Sequence, residues 1–181
     1  MKALTEVQAE ATGNAWFGRA IAGTRVLFGL VFLSNGLAKL APPGFSGTPF
    51  GFVVDAAGAR GVLEFEVLPG GARADGHPVA LYRTLVEEVI LPNYELFGPL
   101  IGLAEAGAGL LLVLGLLTPI GALGAASLQL HLHFMTLFNN KFLWEYPIYW
   151  VPLVALALIR AGRWYGIDER LARRRPGAWW W

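Results

Sequence analysis

Glu105 stands in an apolar stretch, Leu96 to Leu117 (LFGPLIGLAEAGAGLLLVLGLL), as its only charged residue. A run of about 20 apolar residues crosses a bilayer as a helix. A carboxylate near the centre of such a helix costs at least about 2.5 kcal/mol and therefore faces protein or water. The next apolar run, Ile120 to Phe138, carries Gln129, His131 and His133, and Lys39 closes the run that begins at Ala20. These residue types hold and move protons. Imidazole titrates near neutral pH, so His133 paired with Glu105 would make a proton-transfer couple, and Gln129, four positions from His133, would share its face. His131 would lie nearly opposite. The i, i+2 spacing of the histidines cannot aim both rings at one ion, so no metal or haem is expected. The chain has no cysteine, which excludes disulfides, cysteine-held iron–sulfur clusters and a persulfide on this subunit. A blander account stands beside the chemical one: Glu105 tied to a neighbouring helix to fix packing, and histidines bonded to backbone or to Gln129.

The elements that must position these groups follow from composition and periodicity. The 181 residues are 55% hydrophobic and 15% charged, against about 25% charged in soluble domains. The expected fold is all-α, an integral membrane four-helix bundle forming one domain over 1–181. Its spans are read at about 20–40, 96–117, 120–138 and 142–159, with Pro119 suited to the start of the third and Pro147 and Pro152 bending the fourth. Arg25, Gly29, Phe32, Gly36 and Lys39 recur at helical spacing on one face of the first span. Gly98, Gly102, Glu105 and Gly109 do so on the second. Small residues let helices approach closely, so Glu105 should point into a helix–helix contact. Arg25 reads as snorkelling to the inner headgroups.

Charge placement orients the bundle. The tail 160–181 is rich in arginine, whereas the loop 41–95 holds Arg60, Arg73 and Arg83 against seven acids. The positive-inside rule puts both termini in the cytoplasm and the long loop outside. Arg19 and Arg25 precede an apolar run with no small-residue cleavage site, so a cleaved signal peptide is not expected. The loop begins Gly/Pro-rich (PPGFSGTPFG). It then offers VALYRTLVEEVILP, where Tyr82, Leu85, Val86, Val89 and Ile90 fall at helical spacing, an amphipathic helix ended by Pro92. Trp144, Glu145 and Tyr146 join Lys39 at the outer mouth. Trp16, Phe17, Trp179, Trp180 and Trp181 read as interfacial anchors, and the Arg173–Arg175 run as a topogenic signal rather than a nucleic-acid site.

The first span, TRVLFGLVFLSNGLAKL, resembles the R…G..F…G..K signature of the DoxX/DoxD membrane family. EEVILPNYELFG, the acid-bearing helix ending LLVLGLLTP, LWEYPIYW and RAGRWYGIDERL resemble the DoxD branch, the small subunit of thiosulfate:quinone oxidoreductase. The resemblance runs from about Arg25 to Leu171. It implies a four-helix bundle of a prokaryotic plasma membrane that, with a second subunit or fused domain, passes electrons from thiosulfate to quinone. It also marks Arg25, Gly29, Gly36, Asn93, Gly109, Gly162, Arg163 and Asp168 as structural motif positions. Pro119 departs from the arginine common at the family's helix turn, and His131-Leu132-His133 replaces a common Asn-Leu pair. On this reading Glu105 and His133 are catalytic, and Lys39, Gln129, His131, Trp144, Glu145 and Tyr146 bind quinone or substrate. Glu105→Gln is then expected to stop quinone reduction in a folded protein. The alternative is a non-catalytic subunit of a larger respiratory-type membrane complex, in which Glu105 and Lys39 are internal ties.

Overall fold

The structure, a computed structural model, describes residues 2–41 and 54–175, with side chains described over 15–41 and 54–175. The Gly/Pro-rich first half of the loop and Trp179, Trp180 and Trp181 lie outside the described residues. The helices are α1 (Lys2–Leu40), α2 (Ala56–Val67), α3 (Ala80–Leu85), α4 (Tyr94–Leu114), α5 (Thr118–Thr136), α6 (Pro147–Leu158) and α7 (Ile167–Arg174), with a short 3-10 turn at Ala161–Arg163.

The segments 15–40 of α1 and 94–114 of α4 are long and apolar enough to cross a membrane, and only 28% of each apolar window is buried inside the fold. The core helix of a soluble protein would bury most of such a surface. Here Leu27, Leu30, Leu37, Leu100, Leu103 and Leu110 all point outward. The described residues are therefore all-helical with two candidate membrane spans.

The two long helices meet along glycines. Arg25, Gly29, Phe32, Gly36 and Lys39 are all buried, on the one face their spacing describes. Gly36 lies against the backbone of Ala106 and Gly102, and Gly109 against Leu33 and Gly29, so closely that a Cβ at either position would strike main-chain atoms. Side chains cannot intrude where backbones touch. Beside this seam, Ala122, Ala125 and Ala126 of α5 and Leu153, Leu156 and Ala157 of α6 close a core with Leu112 and Phe32.

Several boundaries differ from expectation. α6 has 12 residues, about 18 Å at 1.5 Å per residue, and residues 142–146 form turns instead of helix. Pro147 opens α6 rather than bending it, which suits a residue with no N–H to donate. α2 was not anticipated. Asp55 caps its start by accepting from the Gly58 N–H (2.8 Å). The amphipathic segment begins as α3 and widens into one π turn, Val86–Ile90. The inward line is half-buried Tyr82 with buried Val86 and Leu91, while Leu85 and Val89 are exposed.

Candidate functional site

Three polar assemblies lie on this frame. The first is the seam. Lys39 Nζ on α1 donates to Glu105 Oε2 on α4 at 2.6 Å, with side-chain exposures of 5% and 14%. Gly102 makes room for the Lys39 stem. Glu105 thus takes Lys39 as its partner, while the His133 ring is bonded elsewhere. The Glu105–His133 couple is not formed.

The second assembly, where α4 turns into α5, corrects the reading of Arg25. Its side chain does not reach out to headgroups. It is 2% exposed, sits against Gly115 and Gly166, and donates to the Tyr165 carbonyl (3.4 Å). Asp168, fully buried, accepts from the Leu117 N–H (2.7 Å) and the Thr118 N–H (2.9 Å). A carboxylate on the first N–H groups of a helix satisfies orphan donors and complements the helix dipole. The Asp168 N–H also donates to the Gly115 carbonyl (2.8 Å). Gly162 packs so tightly on Thr118 and Asp168 that a Cβ would overlap both. Arg163 belongs to the short turn that brings α7 back to this point. Arg25, Gly162 and Asp168 therefore form one lock joining α1, the α4–α5 turn and the C-terminal segment.

The third assembly, at the opposite end, docks the loop region. Glu66 of α2 is 6% exposed and accepts from Asn139 Nδ2 (2.8 Å) and Lys141 Nζ (3.1 Å). That hydrogen bond raises the Lys141 ammonium above its ordinary value. Arg73 donates to the Phe138 carbonyl (2.7 Å). His77 is completely buried among Tyr82, Phe134 and Phe138. The Val79 N–H donates to its Nδ1 (3.3 Å), which places the ring proton on Nε2, facing the Phe134 carbonyl (3.3 Å). A lone histidine between Gly76 and Pro78 carries no pattern, and sequence reasoning passed over it. Asn93 donates to the Val89 carbonyl (2.8 Å) within the π turn before α4.

Next to this docked region a groove of about 630 Å³ opens along α5 and α6, lined by Ser127, Leu130, His131, His133, Phe134, Leu137 and Trp150. Both imidazoles border it, although their spacing suggested opposite directions. His133 stacks on Trp150 and Tyr146 at one edge, and His131 meets Tyr82 at the other. Trp150 Nε1–H donates to His133 Nδ1 (3.3 Å). Indole nitrogen only donates, so the neutral His133 carries its proton on Nε2. Tyr82 hydroxyl and His131 Nε2 are 2.9 Å apart. Burial pushes the Tyr82 phenol up to about 12, and burial likewise raises the Tyr146 phenol, which bonds Thr136. Gln129 is half-buried outside the groove lining, and Trp144 and Glu145 are exposed in the turn before α6. Among the described residues no three His, Cys, Asp or Glu side chains gather as a metal cluster.

The DoxX family model matches residues 78–137, which include α4, α5, Glu105 and both groove histidines. No curated protein and no solved structure matches the chain.

Proposed function

We propose that this chain is the membrane subunit of a quinone-linked oxidoreductase resembling thiosulfate:quinone oxidoreductase, working with a second protein subunit in a prokaryotic plasma membrane. The observation that carries the reading is the groove. Its volume, about 630 Å³, falls within the roughly 300–1,000 Å³ of small-molecule sites, which pair apolar walls with a few placed polar groups. Leu130, Phe134, Leu137 and the Trp150 face supply the walls for a quinone ring and tail. His133 Nε2–H, its tautomer set by Trp150, supplies a donor for one ring oxygen, and His131 supplies a second polar contact. In this orientation both termini are cytoplasmic, and the docked loop region forms the outer face. The resemblance to the DoxD small subunit and the DoxX match over 78–137 support the same assignment.

A second reading keeps the chain as a non-catalytic subunit of a larger membrane complex. It is favoured by the Lys39–Glu105 pair, which engages the central acid structurally. Purification from membranes in mild detergent separates the two. The oxidoreductase reading expects stoichiometric bound quinone and thiosulfate-dependent dye reduction when the partner subunit is present. Recovery in a large complex with neither property supports the structural reading and defeats the first.

A further inference from the structure

We infer that Tyr82 and His131 form a proton path between the α5–α6 groove and the loop end of the fold, so that a quinone in the groove exchanges protons with the outer aqueous side. The inference rests on the quinone reading above. Its basis is a contact 49 positions apart in sequence: the Tyr82 hydroxyl on α3 lies 2.9 Å from His131 Nε2 on α5. His131 is a wall of the groove, whereas Tyr82 is rooted in the segment docked over the bundle mouth. The pair therefore joins the groove wall to the docked loop segment.

Both groups have the chemistry of a relay. A neutral imidazole donates at one nitrogen and accepts at the other, and a phenol hydroxyl does both on one atom. Tyr82 is held for the task. Its ring packs edge-on against His77 (4.9 Å), Phe134 (5.2 Å) and His131 (5.8 Å). The charged and titratable neighbours are otherwise engaged. The Arg83 guanidinium donates to the Asp75 and His77 carbonyls, His77 is bonded at both ring nitrogens, and His133 has its Nδ1 taken by Trp150. His133 thus holds the substrate ring, and His131 handles protons.

The balance is that of quinone reduction. Two electrons arrive from the reduced sulfur donor through the partner subunit; one proton arrives through His131, and the second reaches the other quinone oxygen from water at the groove mouth. An O–H bond forms on the quinone oxygen facing His131 as the N–H bond of that ring breaks. The other ring nitrogen then regains a proton from the Tyr82 hydroxyl, which recovers one from water at the loop end.

The test uses the purified full-length chain loaded with a short-chain ubiquinone and reduced electrochemically in an infrared cell. The wild type should bind the quinone and show tyrosine and histidine bands in its reduction-difference spectrum. Tyr82→Phe should bind quinone and stay folded, yet lose the tyrosine band. Its quinol should form about 100-fold more slowly, the lower end for a positioned acid–base group. In His131→Ala, added imidazole should restore the rate, which a merely structural role would not allow. A Tyr82→Phe protein that forms quinol at the wild-type rate with an unchanged spectrum overturns the path and leaves the quinone reading standing. A folded wild type that binds no quinone overturns both.

Discussion

The glycine seam between α1 and α4 and the groove between α5 and α6 both place polar residues among apolar helices, but they treat them oppositely. At the seam, buried Lys39 and part-buried Glu105 meet at 2.6 Å, and backbones press together on either side. At the groove, His131 and His133 each have one nitrogen fixed by a neighbouring side chain and border open space. A buried charge with a dedicated partner marks architecture. A tethered, half-satisfied group beside a cavity marks a place for something else to bind. Glu105, the first anomaly in the sequence, is paired with Lys39 at the seam, and the two histidines border the groove.

The contrast breaks most easily at the ion pair. Glu105→Ala leaves Lys39 buried without its partner and should cost about 3–5 kcal/mol, read as a lowered unfolding midpoint in detergent. Replacing both residues, Lys39→Met with Glu105→Leu, should recover most of that loss. Equal damage from the single and double variants would show that the pair is not a closed unit. The pairing also gives Glu105→Gln a consequence beyond catalysis, since a loss of turnover must be compared with a loss of fold.

Asp168→Ala comes next. Removing a charged acceptor from the Leu117 and Thr118 N–H groups should cost about 1.5–3 kcal/mol in the same unfolding measurement. Wild-type stability in this variant would remove the C-terminal lock from the architecture. On the other side of the contrast, His133→Ala gives up one neutral hydrogen bond. It should shift stability by only about 0.5–1.5 kcal/mol while removing bound quinone, as assayed by extraction.

The smallest effect is alkaline. Burial raises the Tyr82 phenol from 10.0 to about 12, so the folded chain holds that proton more tightly than the unfolded one. The stability this contributes is whole below pH 10 and lost as pH rises towards 12. Midpoints measured across that window should fall more steeply in wild type than in Tyr82→Phe. Parallel slopes would show that Tyr82 is as free in the folded protein as in the unfolded one.

The residues that could be read from sequence are those whose partners share their periodicity. The face Arg25, Gly29, Phe32, Gly36 and Lys39 follows from helix spacing alone, as does the match of Gly102 and Gly109 to it, because small residues have one main use in apolar helices. What the pattern hid depends on contacts far along the chain. The Asp168 bonds to Leu117 and Thr118 join positions about 50 apart, and the Tyr82–His131 bond joins positions 49 apart. Helix α2 was obscured by Gly58 and Gly61 together with its mixed charges. Asp55, ahead of a short alanine-containing run, was the capping signal that could have disclosed it. The π turn at Val86–Ile90 shifted a face that a strict 3.6 period places one residue away.

The most direct test of the division between seam and groove is the quinone-to-protein ratio of wild type and His133→Ala, purified side by side with their unfolding midpoints measured. The account predicts stoichiometric quinone in wild type and almost none in His133→Ala, with the variant still folded and nearly as stable. Equal quinone in the two proteins, or none in a folded wild type, would contradict it.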